Sequence, residues 1–182
     1  MVERLMILQQ TYIHRFKGYQ NYAVIRKRLK ELYERAFEGD NSFFRVAVDE
    51  AVCNAARYAV DEITNVEVTI QTVITPETDI KVRIASVTQA FDALAHREKL
   101  MHLAYEPDNK GRDFGDVFLA STVSRGFWMM MTAVDYLIVE ADGSAVTLSV
   151  SLPYRQDKKK KPTTRMDILV NRFLVRRDGV II

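Results

Sequence analysis

The hydrophobic pattern changes period several times along the chain, and each change predicts an element. Residues 11–16, TYIHRF, alternate weakly and predict a strand. Tyr22, Ile25, Leu29, Leu32 and Ala36 then recur at helical spacing, and Gly39 supplies a stop. Ser42 stands where an N-cap is wanted for a second helix, over residues 43–58. The runs 66–74 (VEVTIQTVI) and 80–87 (IKVRIASV) are rich in β-branched residues, and TPETD joins them as a hairpin. Residues 91–124 are less regular. They hold HREKLMHLAY and then EPDNKGRDFGD, a loop rich in Gly, Asp and Asn. A helix is predicted over 125–134, and a second hairpin over 136–152 with Asp142-Gly143 at its turn.

The order is β-α-α-β-β-loop-α-β-β. Clustered helices and hairpin strands predict an α+β fold, a two-layer sandwich with the helices on one face of a mixed, mostly antiparallel sheet. The composition shifts after Pro153, which divides the chain into a main domain, 1–153, and an appendage, 154–182. QDKKKKP reads as a solvated linker, its lysines Lys158–Lys161 included. Met166, Leu169, Val170, Phe173 and Leu174 follow at i, i+3, i+4, i+7 and i+8, the stripe of an amphipathic helix ended by Asp178-Gly179. A single helix is expected to bury such a stripe on its own domain. Docking to a partner protein or a second copy is the alternative, which makes a third reading of the chain: an adaptor.

Composition narrows the class. Of the 182 residues 48% are hydrophobic and 27% charged, enough apolar material for a sizeable core and too much for wholesale disorder. With 26 basic and 24 acidic side chains the net charge is +2, which gives no footing for nucleic-acid binding. The start shows no signal-peptide pattern, and no apolar run is long enough to span a membrane. The single cysteine, Cys53, cannot form an internal disulfide. These features together predict a soluble, cytoplasmic protein with no membrane association. His14, His96 and His102 lack zinc-site spacing with Cys53, which reads as a buried structural thiol.

The predicted second helix carries a polar stripe in an Ala/Val-rich run, VDEAVCNAARYAV. Glu50, Asn54 and Arg57 sit at i, i+4 and i+7, on one stripe of the helix. Most such stripes simply face water. The same pair also suits a ligand site, because an Asn carbonyl oxygen suits a hard cation such as Mg²⁺ and a Glu can hold or polarise a water or hydroxyl.

FRVAVDEAVCNAARYAV resembles the N-box of the histidine-kinase-like ATPases, the GHKL or Bergerat fold. It is more closely similar to the bacterial anti-sigma-factor serine kinases, whose pattern runs roughly V-x-E-A-x-x-N-A-x-x-H/Y. Two further segments come in that family's order. ITPETDIKVRIASVTQAFDA is similar to the strand leading into the first glycine box, with its trailing Phe91-Asp92. SRGFWMMMTAVDYLIVEADGSAVTLSV resembles the second box with its helix and the two strands beyond, and Arg125-Gly126-Phe127, Val134-Asp135 and Gly143-Ser144 stand at matching positions. The resemblance implies an ATP/Mg-binding protein serine kinase that regulates a sigma factor and its antagonist by partner switching, commonly as a homodimer. It implies Asn54 as the Mg²⁺ ligand and Glu50 as the base or water-positioning acid. Ser124, Arg125 and Gly126 would present backbone amides to phosphates. Phe91 and Asp92 close the first box, and Ser144 stands where the family's Thr helps hold the adenine.

The first glycine box departs from the pattern. The family has D-x-G-x-G-F-D, and this chain has Ser86-Val87-Thr88-Gln89-Ala90-Phe91-Asp92. Ser86 replaces the Asp that accepts from the adenine amino group. It accepts as a neutral group, and charge-assisted bonds are roughly twice as strong. That loss is worth on the order of 1–3 kcal/mol. Thr88 and Ala90 add a Cβ at two glycine positions, and Ser124 replaces the first glycine of the second box. The altered box leaves a second reading, a non-catalytic relative that kept the fold as a protein-binding module. Lys110-Gly111-Arg112 lies where a lid would supply a cation to the phosphates, or is simply an exposed loop. Trp128 and Met129–Met131 read as core packing rather than a methionine-rich binding face.

Overall fold

The computed structural model describes residues 9–37, 39–118, 125–152 and 165–182. The chain runs β1 (Gln10–Lys17), α1 (Tyr22–Ala36), α2 (Ser42–Arg57), β2 (Glu67–Thr75), β3 (Asp79–Ala85), α3 (Ala93–Tyr105), α4 (Phe114–Phe118), α5 (Arg125–Ala133), β4 (Tyr136–Glu140), β5 (Ala145–Ser151), α6 (Met166–Leu169), β6 (Phe173–Arg177) and β7 (Val180–Ile181). Short 3-10 turns sit at Tyr19–Asn21, Pro107–Asn109 and Val170–Arg172. The fold is α+β. Its seven strands form one sheet in the order β1-β2-β3-β5-β4-β6-β7, with every neighbour antiparallel except β4 and β6. None of the described helices is long and apolar enough to cross a membrane.

The register carries the core across the sheet. Thr72, Val82, Leu148, Leu137 and Phe173 stand side by side on consecutive strands, and so do Ile70, Ile84, Val146, Val139 and Val175. Strand side chains alternate between faces, so these rungs share the face on which the helices lie. The in-between positions of β1, β2 and β3, such as Ile13, Gln71 and Lys81, lie on the other face and are exposed or half-buried. Over the core rungs sit Leu29, Leu32 and Tyr33 of α1, and Phe44, Ala47, Val48, Ala51 and Val52 of α2, all buried. Tyr33, Phe37 and Phe44 pack edge-on or tilted, with ring centroids 5.1–6.2 Å apart. Met130 and Met131 are buried, and Trp128 packs partly buried against the same core.

Helix starts differ in detail from expectation. Asn41, not Ser42, holds the N-cap position of α2, and the Asp40 carboxylate accepts from the Ser42 amide at 2.9 Å. The irregular stretch expected after Phe91 begins instead with a full helix, α3. Its N-cap is Asp92, which accepts from the Ala95 amide at 2.9 Å.

The C-terminal segment departs furthest from the expected amphipathic helix. The helix ends at Leu169, and Phe173–Arg177 is a strand paired parallel to β4. Phe173 and Val175 point into the core at period two, while Leu174 and Arg176 point away. Phe173 and Leu174 satisfied both periods, and a short apolar run does not discriminate between them. Asp178-Gly179 is a hairpin turn with positive φ at both residues (51° and 81°), and it returns the chain as β7. The stripe is nonetheless buried within the same chain: Met166, Leu169 and Val170 join the one core cluster. Residues 165–182 therefore belong to the same sheet and core as the main body. Arg172 donates to the carbonyls of Met131 and Val134 at 3.3 and 3.0 Å, a cation at the C-terminal end of α5. The expected lysine linker lies outside the described residues.

Phe173 is fully buried at the junction of β4, β6 and α3. Phe173→Ala is expected to lower unfolding free energy by about 3–5 kcal/mol. Urea denaturation checks this, and a loss near zero would mean that β6 lies outside the cooperative core.

Candidate functional site

α2 carries the polar pair, and its small residues decide how closely neighbours approach. Ala47, Ala51 and Ala56 are buried, and α5 packs directly against this helix. Gly126, in the first turn of α5, lies against the Glu50 side chain, so closely that a Cβ at this position would overlap the carboxylate. Glu50 thus sits half-buried at the amino end of a helix, where the dipole and free amides favour negative charge. Asn54, one turn further along α2, is also half-buried. Neither side chain makes a hydrogen bond to another described residue. Arg57 takes a different course: it is exposed and donates to the Cys53 thiol at 3.6 Å. Cys53 is half-buried rather than buried as expected.

The segment from Ser86 to Asp92 runs beside the carboxyl end of α2. The Ser86 hydroxyl donates to the Ala55 carbonyl at 3.0 Å, and its amide donates to the Ser144 carbonyl at 3.1 Å. With the hydroxyl proton engaged, the Ser86 oxygen keeps lone pairs for a donor. Further along, the segment closes onto its neighbours. Thr88 donates to the Gly143 carbonyl at 3.2 Å, the Gln89 amide donates to Tyr58, and the Val60 amide donates to Val87. Phe91 is 41% exposed, and a Cβ on Gly143 would stand 2.7 Å from its own Cβ. Gly143 has φ near 77°, so two constraints demand glycine there.

The fold brings Glu50, Asn54, Ser86 and Gly126 around one stretch of α2, the first three through α2 and its bond to Ser86, the last through α5. Asp92 and Ser144 are engaged locally. Asp92 caps α3, and Asp142 accepts from the Ser144 amide at 2.9 Å. That bond and the Ser144 hydroxyl hold the Asp142 carboxyl below its ordinary range. Arg125 opens α5. Ser124 lies outside the described residues. In the expected lid, Lys110 and Arg112 are exposed beside a Gly111 turn with φ near 78°, and Arg112 bonds the Asn109 side chain at 3.3 Å. The Arg112 carbonyl accepts from the Met166 amide, so the C-terminal segment ties down this loop.

One residue read from sequence only as lacking zinc-site spacing, His96, stands beside Phe91. His96 of α3 has its ring 5.4 Å from Phe91, 5.3 Å from Phe127 and 6.0 Å from Phe173. Phe91 and His96 flank the start of α3 at the N′ and N4 positions, a local spacing, while Phe127 and Phe173 come from two other segments that no local spacing joins to them. Burial, then Lys99, holds the His96 imidazole below its ordinary pKa.

Mg²⁺ ordinarily keeps waters and takes one or two protein oxygens with the phosphates. Asn54 fits that role, and no cluster of three or more His, Cys, Asp or Glu able to hold a metal occurs among the described residues. The Glu50 carboxylate already lies beside Gly126 at the amino end of α5, and Ser86 fits as an acceptor. No protein-family model matches the chain, and no curated protein shows significant similarity to it.

Gly126→Ala is expected to push the Glu50 carboxylate aside, a cost that the better helix propensity of Ala largely offsets, for a net change within about 1 kcal/mol. A denaturation double-mutant cycle with Glu50→Ala reads the coupling. The pH dependence has a definite sign. The folded-state pKa of His96 lies below its unfolded value, near 6.5, so the unfolded chain binds more protons at acid pH. Stability is full above about pH 6.5 and falls as pH drops through that value towards the lower folded pKa. His14, lowered by burial and Arg28, adds the same sign. His96→Phe is expected to flatten the slope in thermal melts between about pH 5 and 7, leaving the part due to His14.

Proposed function

We propose that this chain is a histidine-kinase-like nucleotide-binding protein of the anti-sigma serine kinase type, which binds ATP with Mg²⁺ and switches between a sigma factor and its antagonist. One observation carries the reading: Glu50 and Asn54 lie half-buried on one stripe of α2, free of described hydrogen-bond partners, with Gly126 of α5 flush against Glu50. The order of the three resembling segments supports it, and β3 and α5, from the second and third of them, pack against α2, the first. In this reading Asn54 offers its side-chain oxygen to the metal. Glu50 accepts the proton of an incoming hydroxyl, the task of a positioned carboxylate. Ser86 accepts from the base, and the first amides of α5 orient anionic oxygens. ATP with Mg²⁺ supplies the phosphoryl group and neutralises its charge. The protein partners and the homodimer rest on the resemblance alone.

The second reading, a non-catalytic protein-binding module of the same fold, has its own support. Thr88 and Gln89 bond directly to Gly143 and Tyr58, which narrows the space where a base would lie.

Calorimetric titration with ATP and Mg²⁺ separates the two. The nucleotide reading expects a Kd between about 1 µM and 1 mM, weakened at least about tenfold by Asn54→Ala. No binding up to several millimolar leaves the binding-module reading standing.

A further inference from the structure

A groove of about 440 Å³ separates α1 from α2, lined on α2 by a stripe that does not include Glu50 or Asn54. Its floor is apolar, with Leu29, Tyr33 and Val48 buried beneath it. Its walls carry four cationic side chains, Arg26, Lys27, Lys30 and Arg45, against one carboxylate, Asp49. Asp49 is already committed. One oxygen accepts from the Tyr22 hydroxyl at 2.8 Å, and the other takes Arg26 at 2.6 and 2.9 Å.

The remaining cations are poorly answered. Glu34 stands 3.7 Å from Lys30 and 3.6 Å from Arg45, beyond good hydrogen-bond distance from either. Lys27 makes no ion pair among the described residues. Arg45 Nε is enclosed and has no acceptor among the described residues. An enclosed, unpaired donor on a cation is costly, and the exposed remainder of the Arg45 side chain carries a charge that Glu34 answers only at 3.6 Å. Among the described residues that line the groove or pair with its cations, four cations face two carboxylates, an excess of two positive charges. A phosphate monoester carries about −1.5 to −2 near neutral pH and matches that excess, where a single carboxylate does not. Guanidinium and ammonium groups both serve phosphate oxygens, and a groove of this volume is of small-ligand size. The Ser42 side chain lines the same wall; the Ser42 amide is taken by Asp40.

We propose that the α1–α2 groove binds a phosphate monoester borne on a small apolar group, with Lys27, Lys30 and Arg45 on the phosphate and Leu29 beneath the apolar part. The site is independent of the nucleotide reading above.

Calorimetry or amide chemical-shift titration of the full chain with phenyl phosphate tests it, with inorganic phosphate, benzoate and a phosphoserine tripeptide as parallel probes. Phenyl phosphate is expected to bind with a Kd of about 1 mM or tighter, and benzoate at least about tenfold more weakly. Lys27 and Lys30 are both exposed, so the Lys27→Ala/Lys30→Ala double variant should keep its melting curve. It is expected to lose at least about tenfold in phenyl phosphate affinity, while Asn54→Ala keeps it. Tighter binding of the tripeptide than of phenyl phosphate would identify a phosphorylated protein side chain as the source, and the reverse order a small molecule. Three results would overturn the proposal: no binding up to about 10 mM, equal binding of benzoate, or affinity unchanged in the double lysine variant.

Discussion

α2 can approach its neighbours closely because the residues it turns towards them are small, and much of the molecule depends on that approach. Ala47, Ala51 and Ala56 are buried where a larger side chain would hold α5 and the sheet away. Gly126 extends the same close approach to the partner helix, since the Glu50 carboxylate as placed lies where a Cβ would stand. The phenyl rings of Phe37 and Phe44 and the phenol of Tyr33 fill the other end of this layer, under the loop between α1 and α2. The helix is thus wedged between bulky aromatic packing at its start and close backbone contact at its centre.

That wedge explains why polar groups can stand inside an otherwise apolar layer. Glu50 is tolerated because it lies at the amino end of α5, where the helix dipole offsets part of the cost of burying charge. Asp49, one residue earlier, points to a different stripe and is satisfied by Tyr22 and Arg26. Burial and Asp49 together push the Tyr22 phenol well above its ordinary pKa, so Tyr22 stays a donor. Two neighbouring carboxylates therefore take unlike roles: one closes an ion pair on the α1 side, the other remains unengaged among the described residues on the α5 side.

Much of the fold was legible in sequence wherever one periodicity dominated. α1 and α2 fall where their apolar spacing places them, and both hairpins fall around their expected turns. Legibility failed where two periods fitted the same residues, as at Phe173 and Leu174. It failed also where a helix has little amphipathic contrast, as in α3. Of the candidate site, Glu50 and Asn54 were visible because i and i+4 positions of one helix share a stripe whatever surrounds them. The contact of Gly126 with Glu50, the Ser86 bond to Ala55 and the packing of Phe127 and Phe173 on His96 join residues from separate segments of the chain. No local pattern encodes those distances.

The sequence by itself determined the α+β class, the helices α1, α2 and α5, the two hairpins, and the pairing of Glu50 with Asn54 on one stripe, because each comes from local spacing and turn chemistry. The tertiary structure alone decided the rest. It turned the C-terminal stripe into a helix turn and a strand, because β4 had an unpaired edge to offer and backbone groups at a sheet edge favour a partner. It also set which polar groups met a partner and which, like Arg45 Nε, did not among the described residues. That outcome depends on which side chains long-range packing brings within reach, and a hydrogen bond is decided by distance in space.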